Sequence, residues 1–372
     1  MAQALYRKYR PKDLSSLVGH ETNVEVLRNA ARLGRLGQSY LFYGPRGTGK
    51  TTTARLLAKL LNCEKRVLDP EFRKLGEPCN ECDACRDIDA GSALDVIEID
   101  AASNRGIDEI RNLKENVRQA PIRHANKVYI IDEAHMLTGP AFNALLKTLE
   151  EPPAHAVFVL ATTEFEKLPP TITSRTQRFL FKKLAKSAIL EKLARITKAE
   201  KMDVSQDALE LIASASEGSL RDAESLLDQI SGMAKKIDLE MAERVIGRAS
   251  LSRVEKMSSL ALSGASKEAV AYIAELKEEG LNLVQFTRDL IHYIEKALTL
   301  SLNPDLEKNF SEEFTKEELD RMKKTAKLAS PAATVPLLRS LIRAYGEMRY
   351  SPFAAIPLEI ALIENPGKAP TK

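Results

Sequence analysis

The chain has 372 residues, 44% of them hydrophobic and 29% charged, with a formal net charge of +3. That length suits two or three domains with cores of their own, and a charge so near balance does not argue for nucleic acid by itself. The opening MAQALYRKYRPKDL has no apolar run of signal-peptide length and no later stretch is an unbroken apolar span, so the expected setting is cytoplasmic, without membrane contact, with reduced thiols.

Tyr6, Arg7, Lys8, Tyr9, Arg10 and Pro11 crowd basic and aromatic residues together ahead of any expected regular element. They read either as an extended arm across a nucleotide base or as a solvated terminus. Glu21 to Leu33 has helical spacing. A short apolar strand, Tyr40 to Tyr43, then leads into a glycine-rich turn and a helix opening at Lys50 and Thr51. Gly44, Gly49, Lys50 and Thr51 match the phosphate-binding loop G-x-x-x-x-G-K-[ST], in the strand-turn-helix context that the motif requires. Glycines let successive N–H groups curl around an anion, and the following helix adds its positive end. Lys50 is then expected to reach the β- and γ-phosphates, and the Thr51 hydroxyl to ligate Mg²⁺.

All four cysteines follow that helix, Cys63, Cys79, Cys82 and Cys85, spaced C-x15-C-x2-C-x2-C. Four thiolates at such spacing surround Zn²⁺ tetrahedrally and leave no open position, which points to a structural rather than a catalytic metal. Asp95 to Asp100, Lys127 to Asp132, Ala156 to Thr163 and Gln177 to Phe181 read as further strands, separated by helices such as Ile107 to Gln119 and Gly139 to Leu149. With Tyr40 to Tyr43 they give a five-stranded parallel α/β sheet covered on both faces. Asp132 and Glu133 close an apolar strand at the sheet's carboxyl edge, about eighty residues after the phosphate loop. Asp132 is the expected Mg²⁺ carboxylate, and Glu133 the group that orients or deprotonates the attacking water.

From about Lys186 the expected elements are helices only: Ser187 to Lys201, Ser205 to Ser216, Ser219 to Lys235 and Leu239 to Ile246. A second helical set runs Ser252 to Leu262, Lys267 to Glu279, Leu283 to Leu302, Lys316 to Ala329, Ala333 to Arg349 and Pro352 to Glu364. Some of these are apolar on more than one face, as in a buried bundle or an oligomerisation surface.

YRKYRP, LVGHE, YGPRGTGKT, the four cysteines after LLAKLLN, IEIDAASN, VYIIDEAHMLTGPAFNALLKTLEEPP, LATTE, Ser174 with Arg175, and GSLRDAESLLDQ occur in that order. Together they make the chain resemble the gamma/tau family of bacterial DNA polymerase III clamp-loader subunits, which are AAA+ ATPases. The resemblance is dense over roughly the first 230 residues. It implies an AAA+ domain over 1–182 with a zinc module at 63–85, a helical lid over 183–247, a helical collar over 248–364 and a tail or linker start over 365–372. It also implies a five-subunit ring with delta and delta-prime subunits and further copies of the chain, which uses ATP to open the sliding clamp and load it on primer-template DNA. The copy number stays open, and contacts to polymerase and helicase are implied only for a longer form.

Carried over by position, the resemblance assigns Gly44, Pro45, Arg46, Gly47, Thr48, Gly49, Lys50, Thr51 and Thr52 to the nucleotide, with Tyr9, Arg10 and Val18 beside it. Asp132 and Glu133 are the acidic pair, and Thr163 the sensor, with Thr162 the alternative. Arg175 is the arginine finger presented to a neighbouring subunit, and Arg221 the second sensor, reaching ATP in its own subunit. The chain has Thr176 where the family commonly has cysteine, and His20 where related chains often have glutamine, next to the expected adenine pocket. Asn104, Arg105 and Arg111, on the turn and helix after the second strand, are candidate contacts to DNA phosphates, sequence-independent and salt-sensitive.

Two rival readings are open. Asp132 to His135 spell the DEAH of a helicase class, but such a helicase needs a second RecA-like domain, for which the helical remainder leaves no room. A scaffold subunit that binds ATP without hydrolysing it is the other, and the intact Lys50, Thr51, Glu133 and Arg175 argue against that as its sole duty.

Overall fold

The computed structural model describes residues 3–311 and 313–365, so most of the expected tail lies outside the described residues. The chain divides into two compact units, one running up to Leu184 and including Ser219–Arg221, the other comprising Ala185–Gly218 and the chain from Asp222 onward.

The first unit opens with α1 (Leu5–Lys8), not with an extended arm. Burial of Leu5 and the two basic residues in its last turn suit a short helical turn, which Pro11 then prevents from continuing. After α2 (Glu21–Leu33) come β1 (Ser39–Tyr43) and α3 (Lys50–Asn62). The cysteine segment carries α4 (Glu64–Leu68), α5 (Pro70–Arg73) and α6 (Asp83–Ala90). Then follow β2 (Val96–Asp100), α7 (Ile107–Val117), β3 (Lys127–Asp132), α8 (Gly139–Glu150), β4 (Ala156–Thr162), α9 (Pro170–Thr173) and β5 (Gln177–Leu180).

The five strands form one parallel sheet in the order β2-β3-β4-β1-β5. Its central strands are apolar on both faces because both are covered: Tyr40 and Phe42 join the core that holds α2 and α3, whereas Leu41 joins the core under α7 and α8. The order fixes the site. β4 lies between β1 and β3, so the loops leaving β1, β3 and β4 emerge side by side at the carboxyl edge.

The second unit is helical apart from one small ladder. It contains α10 (Lys186–Glu200), β6 (Asp203–Val204), α11 (Gln206–Ala215), most of α12 (Leu220–Ser231), β7 (Lys236–Ile237) and α13 (Leu239–Ile246). β6 and β7 pair in parallel, which corrects the expectation that strands stop at Lys186; two residues are too short to show a period. The bundle proper is α14 (Leu251–Ser263), α15 (Ser266–Glu278), α16 (Leu283–Leu302), α17 (Glu307–Phe310), α18 (Lys316–Ala326), α19 (Pro331–Met348) and α20 (Ala355–Glu364). Phe286, Leu290, Tyr293, Ile294, Leu341 and Leu358 are among its fully buried side chains. No helix among the described residues is long and apolar enough to cross a membrane.

Candidate nucleotide and metal sites

Between β1 and α3 the chain turns through Gly44 at φ +139° and enters the helix from Gly49 at φ +106°, values that L side chains rarely adopt. A Cβ at Gly44 would sit 1.9 Å from the Phe181 carbonyl oxygen, so the loop lies flush against the end of β5. Lys50 is buried, its Nζ donating to the carbonyls of Gly44 (2.8 Å) and Pro45 (2.7 Å). Burial pushes its pKa below the ordinary lysine value, against the pull of Glu133 and Asp132. The cation is thus stored inside the loop, on weak carbonyl acceptors that a phosphate oxygen out-competes. Thr48 is buried and Arg46 exposed, while Thr51 and Thr52 are half-buried.

The Thr51 hydroxyl donates to Asp132 Oδ2 at 2.8 Å, joining the start of α3 to the end of β3. A hydroxyl and a carboxylate so juxtaposed at a phosphate loop form the donor set expected of an octahedral Mg²⁺ that keeps several waters. Next to them, Glu133 has φ +47°, a left-handed backbone that is strained for a non-glycine residue. Its N–H donates to Asp132 Oδ1 (3.0 Å), and its Oε2 accepts from Thr163 Oγ1 (3.0 Å). The two adjacent threonines therefore differ. Thr163 touches Glu133; Thr162 is fully buried and meets His135 Nδ1 at 3.0 Å and the Glu164 N–H at 3.0 Å. His135, almost buried, also lies 3.1 Å from Glu164 Oε1 through Nε2 and 3.5 Å from Glu133 Oε2 through Nδ1. Sequence reasoning met His135 only as the last letter of D-E-A-H and passed over Glu164.

His20 Nε2 donates to the Thr48 carbonyl at 2.7 Å, and its ring meets Phe181 edge-on with centroids 4.7 Å apart. Burial lowers its pKa, which keeps the imidazole neutral beside the loop. Tyr9 follows α1 directly, and Val18 is half-buried. Arg10 is depressed by burial and by the cations of Arg55 and Arg221. The Arg221 guanidinium lies 5.1 Å from the centre of the Tyr6 ring, and the backbone N–H of Arg221 faces the Gly47 carbonyl at 3.5 Å. Arg10 and Arg221 thus gather positive charge beside the loop, as an anion requires.

The other expected site residues are placed elsewhere. Arg175 donates to the Thr171 carbonyl (3.0 Å) and pairs with Glu150 (3.1 Å), partners outside both the phosphate loop and the acidic pair. Asn104 donates to the Asp100 carbonyl at 3.1 Å, and Arg111 is paired at 3.0 Å with Asp108 on its own helix. Arg105 is exposed.

The sulfurs of Cys63, Cys79, Cys82 and Cys85 all lie within 4.8 Å of one another. Tetrahedral Zn–S bonds of about 2.3 Å put sulfurs roughly 3.8 Å apart, so this spacing fits zinc. The surroundings fit as well. Backbone N–H groups of Glu81 (3.4 Å) and Cys82 (3.3 Å) point at Cys79 Sγ, and that of Cys79 (3.3 Å) at Cys63 Sγ, the arrangement that stabilises thiolates. A hydrogen bond from the Cys85 thiol holds Cys63 down to about 4, and the same contact pushes Cys85 up.

Residues 19–185 match the family described as DNA polymerase III, delta subunit; residues 188–234 match the DNA polymerase III clamp loader subunit, ATPase lid domain; and residues 237–365 match the DNA polymerase III subunits gamma and tau domain III. The chain is 42% identical over 364 residues to DNA polymerase III subunit tau of Bacillus subtilis, covering 97% of this chain and 63% of that one. It is 34% identical over 363 residues to DNA polymerase III subunit gamma of Buchnera aphidicola, covering 97% of both. Among solved structures, the RuvB Holliday junction branch migration motor of Thermotoga maritima superposes with a TM-score of 0.47 at 19% identity, over 68% of this chain and 78% of that one. The four-cysteine cluster, the phosphate loop joined to an acidic pair and the lid and gamma/tau matches that follow agree along the whole length, and the chain belongs to the gamma/tau family of DNA polymerase III subunits.

Proposed function

We propose that this chain is an ATP-hydrolysing motor subunit of a clamp loader, which opens a ring-shaped sliding clamp and releases it closed around primer-template DNA. The observation that carries this reading is the joined site at the carboxyl edge, where Thr51 bonds Asp132 and Thr163 bonds Glu133. The loop N–H groups and Lys50 bind the phosphates, with Arg10 and Arg221 adding charge beside them. Thr51 and Asp132 would hold Mg²⁺, which supplies charge neutralisation on the phosphate oxygens when bound. Glu133 takes a proton from the attacking water, and Thr163 holds that carboxylate in place through its hydroxyl. Arg175, turned toward α8 and α9, is assigned to the transferring phosphoryl group of a neighbouring subunit.

The proposed partners are delta and delta-prime subunits, further copies of this chain, the sliding clamp and primed DNA. Exposed apolar side chains on α20, Ile356, Ile360 and Ile363, suit a face covered on assembly. Asn104, Arg105 and Arg111 remain the proposed DNA contacts. The four cysteines are proposed to hold a structural zinc, in keeping with the reduced thiols of a cytoplasmic protein. What counts against the helicase reading is that the second unit has only a two-residue ladder among its described residues, not a second parallel α/β sheet.

The test is steady-state ATP hydrolysis with clamp and ring partners present, on primed template, single strands and blunt duplex. Strongest stimulation by primed template is expected. Stimulation by single strands without the clamp would restore the helicase, and no hydrolysis on any DNA would leave a scaffold. Glu133→Gln is expected to cut hydrolysis by about 10² or more while nucleotide still binds.

A further inference from the structure

Thr48 sits between two glycines of the phosphate loop that both have positive φ, Gly47 at +72° and Gly49 at +106°. A glycine adopts either sign of φ at little cost, so a peptide plane beside one can flip where a side chain would forbid it. At this peptide a flip has a consequence for binding. In a trans peptide the C=O and the following N–H point in opposite directions, so the way the Thr48 carbonyl faces decides where the Gly49 N–H faces. The groups on either side are tied within the loop and α3. Thr48 Oγ1 donates to the Pro45 carbonyl (2.8 Å), and the Gly49 carbonyl accepts from the N–H (2.8 Å) and Oγ1 (2.9 Å) of Thr53. The Thr48 carbonyl alone among them is tied from outside, by His20 Nε2 at 2.7 Å. His20 is itself well fixed. It is 6% exposed, its carbonyl accepts the Val24 N–H at 2.9 Å at the head of α2, and its ring rests edge-on against Phe181.

We infer that His20 is a positioning residue for the phosphate loop: by holding the Thr48 carbonyl it keeps the Gly49 N–H turned the opposite way, toward bound phosphate. The inference rests on the reading of Gly44 to Thr51 as the phosphate site, and it assigns His20 to the phosphates and not to the base. A loop whose peptide samples both orientations binds in proportion to the fraction correctly turned, so a fixed peptide raises affinity without adding a contact. The strut joins three elements: the head of α2, the residue that follows β5 and the turn that opens α3. The same Phe181 presses its carbonyl against Gly44, so both ends of the loop are set by the close of β5.

Nucleotide titration of the full chain tests this with two variants, each of which keeps half of the side chain. His20→Gln keeps an N–H donor where Nε2 stands and gives up the ring; His20→Phe keeps a ring against Phe181 and gives up the donor. Urea midpoints show that each variant is folded at the start. His20→Phe is expected to bind ATP about tenfold more weakly, and His20→Gln to stay within about threefold of the parent. Inorganic triphosphate, competing with ATP, is expected to weaken in His20→Phe by the same factor as ATP. In the parent, which needs no substitution, the ring N–H of His20 is expected to be protected from solvent exchange with ATP bound. Four results would overturn the inference: ATP binding by His20→Phe within about twofold of the parent, glutamine no better than phenylalanine, a loss confined to ATP with triphosphate unchanged, or fast exchange of that ring N–H. Lys50→Ala run alongside separates the two failures. If that variant binds ATP as the parent does, the phosphate-loop reading falls; if it loses binding and His20→Phe does not, only the positioning role falls.

Discussion

Asp95, fully buried just before β2, accepts hydrogen bonds from the backbone N–H groups of Ile122 (2.7 Å), Arg123 (2.7 Å) and His124 (2.8 Å). It thereby pins the segment that feeds β3, and with it the approach to Asp132 and Glu133. Burial alone would raise its pKa, but the three donors outweigh burial and hold it below the ordinary aspartate value of 3.8. The sign follows. A carboxyl whose folded pKa is depressed stabilises the protein fully above its unfolded value, and that stability is lost as pH falls through the folded one. Asp95→Asn would turn amide donors toward donors. The expected loss is about 1.5–3 kcal/mol at neutral pH, seen as a lower urea midpoint with unchanged slope and a shallower loss below about pH 4. A midpoint equal to that of the parent at pH 7 would refute this.

At the scale of elements, the segment between α3 and β2 grips the start of the chain. Glu77 accepts from the Leu14 N–H (2.7 Å), from Ser15 Oγ (2.8 Å) and from Arg28 (2.7 Å). Lys59, buried on α3, donates to the Lys12 carbonyl (3.3 Å) and to Asn80 (2.9 Å) and pairs with Asp89. Glu77 and Asn80 lie on either side of Cys79, so the shape of the cysteine cluster is tied to residues 12–16 and through them to the segment that carries Arg10. About one zinc per chain is expected by elemental analysis, lost in Cys82→Ser. With the metal gone, the Leu14 amide is expected to exchange faster by hydrogen exchange, while β3 and β4 keep their protection. Unchanged exchange at residues 12–16 would break the link between the cluster and the start of the chain. These ties join residues far apart in the chain, so no local period announces them. The sheet was legible for the opposite reason: a strand covered on both faces is an apolar run, and β1, β3 and β4 read as such. The choice between Thr162 and Thr163 was not legible. Neighbouring residues of a strand end point to opposite sides, and only the placement of β4 between β1 and β3 brings Thr163 to Glu133.

For the whole molecule, the two arginines of the site make different demands. The Arg221 guanidinium lies over the Tyr6 ring and its backbone N–H faces the Gly47 carbonyl, within the unit that holds the phosphate loop, and we propose that it serves its own subunit's nucleotide. Arg175 is held half-exposed by Glu150 on α8 and by the Thr171 carbonyl on α9, so its cation is oriented without touching Lys50, Asp132 or Glu133. An exposed ion pair contributes at most about 1 kcal/mol to folding, and Arg175→Ala is therefore expected to leave stability nearly unchanged. As a proposed arginine finger, its cost is expected in the assembly. A cation supplied in trans to a transferring phosphoryl group is worth roughly 10³–10⁵ in rate in comparable enzymes. Arg175→Ala is thus expected to keep ATP affinity in the isolated chain and to lose hydrolysis in the assembled ring. Lys50→Ala, which removes the cation stored in the loop, is expected to lose binding in both. Nucleotide titration of the isolated chains, followed by hydrolysis in rings built from each variant, separates the two. Equal loss of binding would assign Arg175 to its own subunit's nucleotide, and full hydrolysis by the Arg175→Ala ring would remove it from the chemistry.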